Sequence, residues 1–202
     1  MENLKISSMS NVRSYTTDQL LNKVKSLPSF KAFPQGYWIL GVRSNEDEPN
    51  KFDDKFYIFR GEEFIKVTSG TTNPGTPILK GGFLEYNKVG AAVVKSEEWY
   101  YGMWKYGLHR GKMPALVQVG ECLVYRDGDK DAKSEEIGKT IKGLYGINFH
   151  STSYDLTSHA VTQNIGTWSA GCAVCNNIEQ YKMIINMIKN EMRISYCLIN
   201  EF

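Results

Sequence analysis

Ser169-Ala170-Gly171-Cys172 sets a thiol in a turn of small residues, and His150 precedes it within Ile147-Asn148-Phe149-His150-Ser151. This is a minimal kit for acyl transfer through sulfur. The thiolate is the nucleophile, and a neighbouring imidazole creates it at neutral pH by stabilising the ion pair. Small residues beside the sulfur let backbone N–H groups crowd the point where an oxyanion forms. Cys172 is therefore the expected nucleophile and His150 the expected base. The N–H groups of Ala170, Gly171 and Cys172 are the expected oxyanion donors. Ser169 is expected to fix the turn or contact substrate, and Trp168 to border the site.

His159 is the rival base, in the polar segment Ser151 to Asn164. His150 follows an apolar strand-like run, and a rigid element holds a base within hydrogen-bond reach better than a loop does. His159 is then a residue at the cleft rim or a solvated one. Asp155 and Asn164 are side-chain candidates for orienting His150. A helix is expected from about Asn177, and its N-terminal dipole would lower the Cys172 pKa if the thiol lay close to it.

Other chemical readings are weaker. Cys172-Ala173-Val174-Cys175 has C-x-x-C spacing, but no second such pair or His pair completes a zinc site. No metal or cofactor is expected, and Cys122, Cys175 and Cys197 read as small buried hydrophobes. Asp127-Gly128-Asp129-Lys130-Asp131 opens like a calcium loop. Ala132 then replaces the turn glycine and Gly138 the closing glutamate, so the segment reads as a charged turn. Glu97 to Gly111 is the densest aromatic stretch. Its Trp99 to Tyr106 part suits core packing. His109 and Arg110 suit a substrate-binding lid, with Arg110 or Arg126 holding a carboxylate.

The histidine and cysteine segments resemble the catalytic domain of the L,D-transpeptidases, cysteine enzymes acting on peptidoglycan stem peptides. That family carries a His, often followed by Gly or Ser, then Ser/Thr-His-Gly-Cys downstream. His150-Ser151 and Ser169-Ala170-Gly171-Cys172 match, with Ala170 in place of the second His, a longer spacing, and Val174 where Arg or Asn is common. The likeness extends more loosely from about Tyr37 to the C-terminus. It implies that the backbone carbonyl of Ser151 orients His150. It also implies an L,D-transpeptidase-like β-sandwich or open barrel over residues 35–202, after a helical extension at residues 1–34. The implied activity is cysteine-dependent acyl transfer on stem peptides through a thioacyl intermediate. The departures at Ala170 and Val174, with no secretory signal in Met1 to Ser8, turn the expectation to a phage- or effector-borne cell-wall hydrolase of endo- or carboxypeptidase type. Two alternatives keep the fold: a true transpeptidase forming crosslinks, and a non-catalytic peptidoglycan-binding virion component. A papain-like amidase would place cysteine before histidine, the reverse of the order here.

Composition sets the outer limits. The chain has 202 residues, 42% hydrophobic and 12% aromatic, enough for one sizeable packed domain. A formal net charge of +2 argues against a nucleic-acid-binding stripe. No apolar run is long enough for a membrane span. Met1 to Ser8 lacks the apolar core of a secretory signal. A protein acting at the cell wall would then be delivered by a phage particle, a lysis system or a secretion apparatus, with virion or delivery proteins as further partners.

The expected elements frame the site. A threonine-capped helix covers Thr16 to Leu27, with Leu20, Val24 and Leu27 on one face. Strands are expected at Tyr37 to Val42, on both sides of a turn at Arg60-Gly61, and at Ala115 to Val119, Glu121 to Arg126, Ile147 to His150 and Ile194 to Ile199. Ser44 to Asp54 and Ser69 to Pro77 read as loops. A long C-terminal helix covers Asn177 to Met192, with Ile178, Tyr181, Ile184, Ile185 and Ile188 at helical spacing. The class is mainly β or α+β.

Overall fold

Threonine 16 starts the first helix as its sequence suggests. Its hydroxyl accepts from the Gln19 N–H (3.2 Å) and the Gln19 side chain accepts from the Thr16 N–H (2.8 Å). This reciprocal cap is worth about 1 kcal/mol, and it opens α1 (Thr17–Lys25). The computed structural model describes residues 12–46, 48–82 and 88–202. The start of the expected N-terminal extension lies outside the described residues.

The strands are β1 (Tyr37–Arg43), β2 (Asp54–Arg60), β3 (Glu63–Thr71), β4 (Ala91–Val94), β5 (Glu98–His109), β6 (Met113–Gln118), β7 (Cys122–Asp127), β8 (Ile141–Gly143), β9 (Phe149–Ser151), β10 (Ala173–Cys175) and β11 (Ile194–Asn200). Two more helices, α2 (Thr76–Leu79) and α3 (Ile178–Ile188), complete the described elements. The fold is mainly β, in two sheets. Eight strands form a closed circuit in the order β1-β11-β5-β6-β9-β10-β3-β2, and β4-β7-β8 form a separate small sheet. Closure removes the exposed edges that an open barrel would leave.

Period-two alternation builds two cores. On β1, Trp38, Leu40 and Val42 join Leu20, Val24 and Leu27 in one cluster, while Ile39 joins the other. Both faces are covered, so the strand reads as a continuous apolar run. Trp99 ties α1 to the circuit by donating its indole N–H to the Val24 carbonyl (2.8 Å). The second core takes the apolar face of α3, whose five predicted residues are all buried. Tyr181 donates from there to the Pro114 carbonyl (2.7 Å).

The aromatic stretch is the twelve-residue strand β5, with Trp99, Tyr100, Met103 and Trp104 buried as core packing requires. Two expectations change. Ser69, Gly70 and Thr71 are strand rather than loop, because β10 pairs there: Val174 opposes Thr71 and Cys175 opposes Gly70. A Cβ on Gly70 would stand 2.4 Å from both the Phe56 ring and the Val174 carbonyl oxygen, so the strand can approach only without a side chain. α3 stops at Ile188, four residues short of the expected end; Met192, beyond it, is 86% exposed and has little to pack against.

Candidate active site

β9 and β10 run parallel and adjacent, with Ala173 opposite Phe149 and Val174 opposite His150. This pairing is what joins the two motifs. The Ala173 N–H donates to the Asn148 carbonyl (2.9 Å), and the Asn148 N–H points at the Cys172 sulfur (3.5 Å). The thiol in turn faces the Gly146 carbonyl (3.4 Å). Cys172, just before β10, and His150, within β9, are thus held by two strands that share a hydrogen-bond ladder.

Donor atoms of Cys172, His150 and His109 lie within 4.8 Å of one another. His109 arrives from the far end of β5, and its ring stacks on His150 with centroids 4.2 Å apart and planes 24° apart. Asn148 holds His109 by donating its amide N–H to Nδ1 (2.9 Å), while its Oδ1 accepts from the Gln118 N–H (2.8 Å). His150 Nδ1 donates to the Ser151 carbonyl (2.7 Å), the orienting contact implied by the resemblance. Its Nε2 is buried and makes no hydrogen bond. A proton on Nδ1 leaves Nε2 as a bare lone pair.

The turn before the thiol is closed by Ser169. Its hydroxyl donates to the Cys172 carbonyl (2.8 Å) and accepts from the Gly171 N–H (3.2 Å). Gly171 is therefore committed to Ser169 and is not a free oxyanion donor; its role is steric. Its φ is +125°, and a Cβ there would stand 2.5 Å from the Ala92 carbonyl oxygen. Only glycine meets both demands.

A cleft of about 290 Å³ opens onto this group. It is lined by His109, Arg110, His150, Trp168, Ala170 and Cys172, all expected, and by Ile78, Tyr154 and Thr167, which sequence reasoning missed. Tyr154 lies in the polar segment after β9 and packs near Trp168 (6.2 Å between rings); no local pattern marked it. Asn50 anchors the Trp168 wall by accepting from the Ile165 N–H (2.9 Å) on its carbonyl and the Gly166 N–H (2.7 Å) on its side chain. Arg110 occupies the β5–β6 turn with φ +51°, beside Gly111 at +70°.

Ser151 and Ser169 are fully buried and act on the site from behind it. Arg126 lies elsewhere, its guanidinium 4.9 Å over the Tyr145 ring, and is not among the lining residues. His159 is exposed, 3.6 Å from Glu179, beside a separate cleft of about 300 Å³. Asp155 spends its carboxylate on the Thr157 N–H and hydroxyl (2.8 and 2.7 Å). Asn164 bridges to Lys51. Neither orients His150. Comparison with protein-family models, with curated proteins and with solved structures returns no match.

The electrostatics differ from the expected ion pair. Burial holds the His150 imidazole down to about 3, with further lowering from His109 and Arg110 and an opposing pull from the Ser151 carbonyl. Burial also pushes the Cys172 thiol up to about 11, against the Asn148 N–H and the Arg110 charge. Both groups are neutral at pH 7 in this conformation. The α3 dipole gives no help: β10 and Asn177 separate Cys172 from the helix start, and the dipole fades within one turn.

The other chemical readings resolve structurally. Cys172 and Cys175 belong to different hydrophobic clusters, and all four cysteines are free. Cys175 instead contacts the Thr68 hydroxyl (3.3 Å). The Asp127 to Asp131 turn spends its carboxylates on its own backbone: Asp129 accepts from the Asp131 N–H, Asp131 from Lys133 and Asp127 from Glu135. No described helix is long and apolar enough to cross a membrane.

Proposed function

We propose that this protein is a cysteine-dependent acyl-transfer enzyme, of L,D-transpeptidase type, that cleaves peptidoglycan stem peptides as a cell-wall hydrolase. The observation that carries the reading is the sulfur of Cys172 within 4.8 Å of an imidazole nitrogen of His150, at an open cleft, with His150 Nδ1 held by the Ser151 carbonyl and Nε2 without a partner.

The chemistry follows from the neutral resting pair. As Cys172 Sγ bonds to the scissile carbonyl carbon, its proton passes to His150 Nε2. The Ser151 carbonyl accepts from Nδ1–H and so stabilises the imidazolium that forms. The carbonyl π electrons move to oxygen, where the N–H groups of Ala170 and Cys172 are the available donors. Collapse breaks the C–N bond, and the departing amine takes the proton from His150. Water then attacks the thioester, gives a proton to His150, and releases the carboxylic acid and the thiol. Proton transfer accompanies attack instead of preceding it, since burial disfavours both charges before substrate enters.

The walls fit a peptide carrying a free carboxylate. Trp168, Tyr154 and Ile78 offer apolar surface, and the exposed Arg110 offers a guanidinium for a carboxylate. The test is digestion of purified peptidoglycan with wild type and Cys172→Ala, read by mass spectrometry. New free stem-peptide ends with wild type alone support hydrolysis. New crosslinks indicate transfer to an amine acceptor. No change with either protein refutes enzymatic activity on this polymer and favours a binding module.

A further inference from the structure

The group at the cleft floor contains more donors than acyl transfer uses. Three ligand atoms, one each from His109, His150 and Cys172, lie within 4.8 Å of one another. A point equidistant from three atoms at that spacing is about 2.8 Å from each, against about 2.0–2.1 Å for a zinc–imidazole bond and about 2.3 Å for a zinc–thiolate bond. Inward shifts of roughly 0.5–0.8 Å per side chain remove the difference. His109 sits at the end of a strand beside a turn and is only half-buried, so it has room to make such a shift.

A second observation points the same way. His150 is 1% exposed, lines the cleft, and leaves Nε2 without a partner, while Nδ1–H is held by the Ser151 carbonyl. Metal-binding imidazoles have this arrangement: an outer carbonyl fixes the tautomer and ring orientation, and the inner lone pair is bare. Two imidazoles and one thiolate suit a borderline-soft ion such as Zn2+ and suit Mg2+ or Ca2+ poorly. The open cleft leaves the fourth tetrahedral position to water.

We propose that His109, His150 and Cys172 form a binding site for one Zn2+ ion, and that the metal and an acyl group compete for the same sulfur. On binding, the thiol proton leaves to solvent, the sulfur joins as thiolate, and both imidazoles bind as neutral bases. No electron is transferred. His109 is the ligand that must adjust, because Asn148 already donates to its Nδ1. The metal either replaces that hydrogen bond or binds the other nitrogen after a tautomer change. With Nε2 of His150 on the metal, no lone pair remains to take the thiol proton, so the metal-bound form is inactive in acyl transfer. Metal binding itself does not depend on the acyl-transfer reading, since it is read without substrate; the competition for the sulfur rests on that reading.

The test is titration of the chelator-stripped full chain with Co2+, followed by optical absorption, and then displacement by Zn2+. One equivalent of Co2+ is expected, with a near-ultraviolet sulfur-to-cobalt charge-transfer band and visible bands of tetrahedral intensity, all bleached by Zn2+. Cys172→Ser is expected to abolish the charge-transfer band. His109→Gln is expected to weaken Co2+ binding at least tenfold, with far-ultraviolet circular dichroism confirming the fold. His159→Ala, on the separate exposed cleft, is expected to change nothing. Absence of the sulfur band in wild type overturns the proposal, whatever the variants do. Binding that is unchanged in folded His109→Gln, or lost in His159→Ala, overturns it as well.

Discussion

The sharpest consequence of the site's burial concerns thiol reactivity as pH is raised. A free cysteine with a pKa near 8.5 is about 3% thiolate at pH 7. With the Cys172 thiol pushed up to about 11, the thiolate fraction at pH 7 falls to roughly one part in ten thousand, about 300-fold less. Alkylation by iodoacetamide of the native, chelator-treated protein should therefore rise about tenfold per pH unit from 7 to 10 without levelling off. Cys172 is the cysteine to follow, since it is 9% exposed while Cys122, Cys175 and Cys197 are 1% exposed or less. Peptide mass spectrometry after quenching assigns the modified residue. A reaction rate that is already at a plateau between pH 5 and 8 would mean a resting thiolate–imidazolium pair. That result would refute the argument that proton transfer waits for substrate.

Four further outcomes are expected. Gly171→Ala should destabilise the fold by about 2–4 kcal/mol in urea unfolding, from a left-handed φ combined with a clash against backbone. Ser169→Ala removes a buried hydroxyl that serves both the Cys172 carbonyl and the Gly171 N–H. It should cost about 1–3 kcal/mol and lower turnover, both measured on the same preparation. In the presence of chelator, acid should unfold the protein partly through His150. Its folded pKa is lowered to about 3, so below about 6.5 the unfolded chain binds the extra proton and stability drops as pH falls, by roughly 2 kcal/mol at pH 5. His150→Gln should remove that share of the pH dependence in urea midpoints taken from pH 7 to 5. Arg110→Gln should let the His150 imidazole titrate higher, because the guanidinium opposes its charge; histidine ring NMR signals followed against pH check this.

The parts of the fold that depend on local pattern were readable. The Thr16 cap, the continuous apolar run at Tyr37 to Val42 and the helical spacing from Ile178 to Ile188 each report their own element. Strand identity at Ser69 to Thr71 was not readable, because it comes from pairing with β10, a hundred residues away in the chain. The aromatic residues of β5 carried no strand alternation of their own, since both faces of Trp99 to Trp104 are buried. The same split holds for the site. Cys172, His150 and the Ser169 turn were marked by residue type and spacing. Tyr154 and Ile78 line the cleft through loop packing that no periodicity records. The protonation states were the least readable. Residue types suggest an ion pair, and the desolvation that opposes it exists only once the two strands are buried side by side. The proximity of His109 to both reactive groups likewise arises from long-range pairing: β6 pairs with both β5 and β9, which brings the end of β5 close to His150.

The central claim is a covalent bond between substrate and one sulfur. It is tested most directly by incubating the metal-free protein with stem peptides, quenching in acid within milliseconds to seconds, and measuring intact mass. The account predicts a transient mass increase equal to the acyl fragment, located on the Cys172 peptide, labile to hydroxylamine and absent in Cys172→Ala. Peptide cleavage without any such adduct, or with equal speed in Cys172→Ala, would contradict it.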